Sequence, residues 1–138
     1  TINAAPGVIS DHGARAIAPH RIGNAGIFST ASDLAKFCRM MLNRGRGFFK
    51  TDIAELFFTN QAPPGMTQRS IGWNMAPDFI PEGCSASTIH HTGWTGQAVW
   101  IDPAKQRFLI LLTNRFGDSI ESWRGRLAAA QEIFNTIV

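Results

Sequence analysis

Hydrophobic positions show no sustained period over residues 1–28, where Pro6, Gly7, Gly13, Pro19, Gly23 and Gly26 interrupt the chain. Such a stretch predicts irregular backbone lying over a surface. Residues 29–43 change character: Leu34, Phe37, Cys38, Met41 and Leu42 recur at the i, i+3, i+4, i+7 and i+8 positions of one helical face. Thr30 followed by Asp33 has the spacing of a capping box, and Arg44 with Gly45 supplies a cation and a flexible residue at the far end. Thr51 or Asp52 is the expected cap of a shorter second helix with Ile53, Leu56 and Phe57 on one face. Gln61-Ala62-Pro63-Pro64-Gly65 must end helical structure there.

From Arg69 onward the period shortens. Residues 71–75 and 88–96 read as short strands separated by a loop holding Pro77, Pro81 and Gly83. Residues 97–101 and 107–113, rich in β-branched and large apolar side chains, predict an antiparallel hairpin turned by Asp102-Pro103-Ala104-Lys105-Gln106. The second of these strands is apolar on both faces from Phe108 to Leu112, so each face of the sheet needs a cover. Gly117-Asp118-Ser119 reads as a turn and cap, after which Ile120, Trp123, Leu127, Ala130, Phe134 and Ile137 step by 3, 4, 3, 4 and 3 residues. That spacing predicts a C-terminal amphipathic helix able to cover one face, and only the early helices can close the other. The expected fold is α+β, one segment over residues 1–138, irregular and helical over 1–68 and strands plus a terminal helix over 69–138.

Composition narrows the class. With 138 residues and 15.1 kDa the chain has enough material for one core, and 44% hydrophobic against 17% charged residues excludes disorder and collagen-like repeats. The net charge of +3 comes from arginines spread along the chain, so no basic patch points to nucleic acid. The longest apolar run, Phe108-Leu109-Ile110-Leu111-Leu112, is far below the roughly 18 residues of a membrane span. The chain opens on Thr1 rather than Met, and further sequence is expected upstream. Cys38 and Cys84 have no Cys-x-x-Cys spacing and are expected to be two separate buried thiols, a count that leaves the compartment open.

Candidate chemistry concentrates in His90-His91-Thr92-Gly93-Trp94-Thr95-Gly96, directly before the hairpin. Thr92 offers a hydroxyl, His91 an imidazole, and Gly93 with Gly96 allows another molecule close to the backbone, features suited to cradling a substrate. The competing structural reading is that the glycines mark bulges or a tight twist and that Thr92 and Thr95 are ordinary strand residues. Adjacent His90 and His91 on a strand point to opposite faces, so no metal site is expected, and no cofactor. Ser119 and Ser122 read as caps or solvent-facing residues, and Arg44, Arg46 and Lys50 as a solvated helix end. Of Trp73, Trp94, Trp100 and Trp123, only Trp94 lies beside the suspected site.

Two stretches carry a resemblance. One is Gly23-Asn24-Ala25-Gly26-Ile27-Phe28-Ser29-Thr30-Ala31-Ser32-Asp33-Leu34-Ala35-Lys36-Phe37. The other is His91-Thr92-Gly93-Trp94-Thr95-Gly96, followed by Trp100-Ile101-Asp102-Pro103 and Leu111-Leu112-Thr113-Asn114-Arg115. Together and in this order they resemble the C-terminal half of the serine β-lactamase and penicillin-binding-protein-like superfamily, nearest its class C, DD-peptidase and esterase branch. The resemblance implies a partial β-lactamase-like fold, with helices from the all-α region followed by the last antiparallel strands and the terminal helix. In such proteins a Ser-x-x-Lys helix carries the nucleophile, Tyr-x-Asn assists proton transfer, and a Lys-Thr-Gly strand lines the pocket's third side. His91-Thr92-Gly93 would be that strand, with His91 and Trp94 assigned to catalysis and Thr92, Gly93 and Thr95 to substrate binding. The Trp94 backbone N–H would be one of two oxyanion-hole donors.

The departure from the family pattern is as informative. The residues three before Lys36, Lys50 and Lys105 are Asp33, Gly47 and Asp102, so Ser-x-x-Lys is missing, and the chain has no tyrosine. Loss of such a nucleophile removes most of the rate. The chain is therefore expected to be inactive alone, with an N-terminal half of the same protein as its partner and a small acyl substrate, a β-lactam, D-amino-acid peptide or ester, in the complete enzyme. The alternative is a non-catalytic binding or homo-oligomerising module built on the same core. The resemblance tilts localisation towards the periplasm or cell envelope.

Overall fold

Thr30 caps the first long helix through the spacing that predicts it: its Oγ1 accepts the Asp33 N–H at 3.1 Å. In a computed structural model, which describes residues 5–20, 22–115 and 119–137, this helix, α2, runs Ala31–Leu42. Its C-terminus closes with the Arg44 N–H on the Met41 carbonyl and the Gly45 N–H on the Met40 carbonyl, both at 2.9 Å. Arg44 at φ 53° and Gly45 at φ 64° supply the left-handed backbone this closure needs. Two local features depart from expectation. A five-residue helix α1, His12–Ala16, forms in the stretch expected to be irregular, because the Asp11 carboxylate accepts the Ala14 N–H at 2.7 Å. Helix α3, Thr51–Leu56, is capped by Lys50 without a side-chain bond rather than by Thr51 or Asp52, and it buries Ala54 while Ile53 stays exposed.

Three antiparallel strands follow, β1 (Ile89–Thr92), β2 (Ala98–Asp102) and β3 (Arg107–Leu111), in the order β1-β2-β3. The expected strand over residues 71–75 is reduced to single bridges, Asn74 pairing with Arg69 and with His90, because Gly72 turns the chain at φ 76°. The expected strand over 88–96 ends at Thr92, since the Gly93 N–H bonds back to the Gln97 carbonyl at 2.8 Å and starts the β1–β2 turn. Trp100 pairs with Leu109 and Ile101 with Phe108 in the hairpin register.

Both sheet faces are covered. Cys38 and Met41 of α2 pack with Phe58, Met75, Ile89 and Ile101 on one face. On the other, α4 (Ser119–Thr136) sets Ala130 and Phe134 against Ala98 and Trp100. The expected turn at residues 117–118 lies outside the described residues. Asp102, fully buried at the end of β2, accepts from the Ser85 hydroxyl at 2.5 Å and lies 3.5 Å from Arg107. Arg107 in turn donates to the Phe134 carbonyl at 3.2 Å, tying the hairpin to the end of α4. Both cysteines are free, but Cys84 is only half-buried; burial raises both thiol pKa values, that of Cys38 to about 11. Among the described residues no helix is long and apolar enough to cross a membrane, and no three potential metal ligands cluster.

Candidate functional site

Strand alternation divides the histidine pair. His91 shares the α2 face with Ile89 and is exposed, its ring meeting the edge of Trp73 at 6.4 Å, with Phe37 stacked on Trp73 behind it. His90, 2% exposed, faces the other way and stacks with Phe79, Trp123 and Trp100 at 5.5, 5.9 and 6.4 Å. Neither His90 ring nitrogen has a hydrogen-bond partner among the described residues. Burial, then the charges of His91 and Arg69, lower its pKa to about 4. His90 is thus a neutral aromatic wall behind the strand, while His91 offers polar atoms to solvent.

Alternation assigns the half-buried Thr92 to the side of His90, so His91 and Thr92 leave the strand in opposite directions. The outer edge of β1 carries the Thr92 backbone. The His90 backbone exchanges hydrogen bonds with Asn74 on that edge, at 2.9 and 3.0 Å, and alternation directs the Thr92 backbone to the same side.

Beyond Thr92 the chain makes a tight turn whose geometry is held from several directions. The Gly96 N–H donates to the Gly93 carbonyl at 3.1 Å, and the Thr113 hydroxyl donates to the Gly96 carbonyl at 2.5 Å. Gly96 has φ 117°, and a Cβ there would stand 2.6 Å from the Thr113 carbonyl oxygen, so only glycine fits. The Thr95 hydroxyl donates to the Gln97 side-chain oxygen at 2.7 Å, which turns Thr95 towards the turn rather than outwards. At the tip, Trp94 is 78% exposed and its ring lies 4.1 Å from the Arg115 guanidinium carbon, while the Arg115 N–H holds the Thr95 carbonyl at 2.8 Å. Among the described residues the Trp94 N–H has no backbone acceptor.

One residue of this region escaped the sequence reading. Arg126, 7% exposed on α4, reaches the carbonyls of Gly93 and Gln97 through Nη1 at 3.4 and 3.2 Å, and its Nε bonds the Ser122 carbonyl at 3.2 Å. Burial, then the nearby Arg115, lowers its pKa from the ordinary guanidinium value. A signal was present: Arg126 sits three after Trp123 and four before Ala130, on the apolar stripe of its helix, where a solvated arginine is out of place.

Comparison with known proteins gives this geometry a context. The Beta-lactamase family model matches residues 3–132. The chain is 36% identical over 105 residues to an N-acetylmuramyl-L-alanine amidase of Bacillus subtilis (strain 168), covering 67% of this chain and 23% of that protein. It is likewise 36% identical over 106 residues to a Salmonella typhi protein bearing a D-alanyl-D-alanine carboxypeptidase name, again with 67% and 23% covered. A crystal structure of a beta-lactamase from Mycobacterium bovis superposes with a TM-score of 0.58 at 25% identity, over 77% of this chain and 44% of that one. The chain therefore spans about a quarter of the length of those two relatives and less than half of the solved structure.

Proposed function

The chain belongs to the beta-lactamase family, its α+β architecture being part of that family's fold, and on that premise we propose that it forms one wall of an acyl-transferring serine hydrolase site. The substrate class is a β-lactam, a D-amino-acid peptide or a small ester. His91 donates a hydrogen bond to the substrate from the exposed side of β1, while Thr92, Gly93 and Thr95 shape the strand end that the substrate lies against. The Trp94 N–H stabilises the oxyanion of the tetrahedral intermediate together with a donor from the nucleophile's own segment. The observation that carries the reading is the β1–β2 turn, which closes through Gly93 and Gln97 and leaves the Trp94 N–H without a backbone acceptor among the described residues.

The nucleophile comes from outside this sequence, which has no Ser-x-x-Lys and no tyrosine. Alone, the chain therefore turns over nothing, and its partner is the remainder of the same domain. Ile27, Phe28, Phe48 and Met66, at 89%, 63%, 78% and 67% exposed, are apolar side chains that such a partner would cover.

The test is hydrolysis of a chromogenic cephalosporin, a nitrophenyl ester and a D-alanyl-D-alanine peptide by the full-length protein. Turnover of at least one, lowered at least tenfold by Thr92→Val, is the expected result. Turnover indifferent to Thr92→Val removes Thr92 from the site, and no turnover at all favours a binding module built on this fold.

A further inference from the structure

The peptide unit between Gly93 and Trp94 contains both the Gly93 carbonyl and the Trp94 N–H. A trans peptide is planar, and its C=O and N–H point in opposite directions. Whatever holds the Gly93 carbonyl therefore also aims the Trp94 N–H. Among the described residues two donors hold it: the Gly96 N–H at 3.1 Å, from within the turn, and Arg126 Nη1 at 3.4 Å, from α4. The same Nη1 reaches the Gln97 carbonyl at 3.2 Å, which closes the turn by accepting the Gly93 N–H. Arg126 is the only one of these groups that belongs to another element, and its bonds to carbonyl oxygens are charge-assisted.

We infer that Arg126 is a positioning residue that locks the Gly93–Trp94 peptide with its carbonyl towards α4 and its N–H towards the acyl site. The inference rests on the proposed role of the Trp94 N–H. Without the lock, rotation of this one peptide unit exchanges the two groups and puts a carbonyl oxygen where the oxyanion must sit, which repels instead of stabilising. The rotation changes ψ of Gly93, which without a Cβ resists it little, and φ of the exposed Trp94. The arrangement also explains a guanidinium on the buried face of an amphipathic helix: it replaces packing with orientation of the neighbouring turn. Its remaining contacts suit a fixed post, since Nε is anchored on the Ser122 carbonyl one turn earlier and the guanidinium lies 5.5 Å from the Trp123 ring.

The experiment uses the full-length protein carrying Arg126→Met, which keeps length and apolar packing and removes every donor. Steady-state kinetics should show kcat reduced roughly 100-fold, the scale of a lost oxyanion donor, with KM within about threefold of the unaltered protein. Affinity for an arylboronic acid, whose tetrahedral serine adduct places an oxygen in the same position, should fall in step with kcat. Arg126→Lys, which keeps a charged donor, should recover part of both. A kcat and boronate affinity equal to those of the unaltered protein would overturn the inference while leaving the proposed function standing. If the unaltered protein neither hydrolyses an acyl substrate nor binds the boronate, the functional reading falls and this inference falls with it. Where Arg126→Met does not fold, Arg126→Lys decides alone: a lower kcat at constant KM supports the lock, and equal losses in stability and KM with kcat unchanged reject it.

Discussion

His90 and His91 are consecutive on β1 and occupy opposite environments, His90 sealed at 2% exposure among Phe79, Trp100 and Trp123 and His91 in solvent beside the edge of Trp73. The two-residue period of the strand separates them, and the covers on the two faces make the separation chemical. One imidazole is kept neutral by desolvation and the other is available to a ligand.

The buried member makes stability depend on pH with a definite sign. Its folded-state pKa of about 4 lies below the ordinary value of 6.5, so between those values the unfolded chain binds more protons than the folded one. Stability from this group is complete above about pH 6.5 and is lost as pH falls towards 4, by roughly 3 kcal/mol over the whole window. His90→Phe keeps the aromatic stack and removes the titration. Urea unfolding at pH 7 and pH 4.5 should show a smaller acid loss for the variant; identical losses would assign the acid sensitivity to other groups.

Gly96→Ala should cost more than about 2 kcal/mol, because a Cβ would meet the backbone of Thr113 at 2.6 Å and of Arg115 at 2.7 Å, and neither can step aside. Gly23→Ala, with open space around it and no positive φ, is the control and should stay within about 0.5 kcal/mol. Denaturant midpoints of the two variants compare them directly.

Asp102→Ala strips acceptors from the Ser85 hydroxyl, the Ser85 and Lys105 N–H groups and the Arg107 guanidinium at a fully buried position. A loss of about 3 kcal/mol or more is expected. Asp102→Asn retains one acceptor oxygen and should lose less. Thermal unfolding of both variants checks the order, and a larger loss for Asn than for Ala would contradict it.

Trp94→Ala removes an exposed ring but leaves the backbone N–H in place. Loss of the Arg115 contact should change stability by less than about 1 kcal/mol. In the full-length protein we expect KM for bulky acyl substrates to rise several-fold with kcat nearly constant, the reverse of the Arg126→Met pattern. A fall in kcat at constant KM would mean that the ring, too, orients the turn.

Much of this architecture was legible in single residues. The Thr30 cap, the Cys38 and Met41 positions of α2, the Asp102–Gln106 turn and the Ala130 and Phe134 positions of α4 are local patterns that hydrogen bonding and packing periodicity enforce, while Phe37 and Ile137 of the same expected stripes are exposed, Ile137 beyond the end of the helix. The requirement that both faces of β3 be covered was also written in its continuous apolar run, and α2 and α4 meet it. Strand length was harder to read. Thr88 to Gly96 has strand composition throughout, but Gly93 and Gly96 take part in a turn that is also held by Thr113 and Arg115, residues that sequence order does not place beside them.

The sequence by itself determined where α2, α4 and the hairpin form, that both faces of β3 are covered, and that His91-Thr92-Gly93-Trp94 is the candidate site. Those properties follow from side-chain period, turn residues and the inventory of polar groups, all readable within a few positions. Only the tertiary structure decided that His90 is sealed among aromatic rings and that Arg126 reaches across from α4 to the Gly93 carbonyl. These depend on which helix covers which sheet face and at what height, and that is set by long-range packing rather than by any local preference.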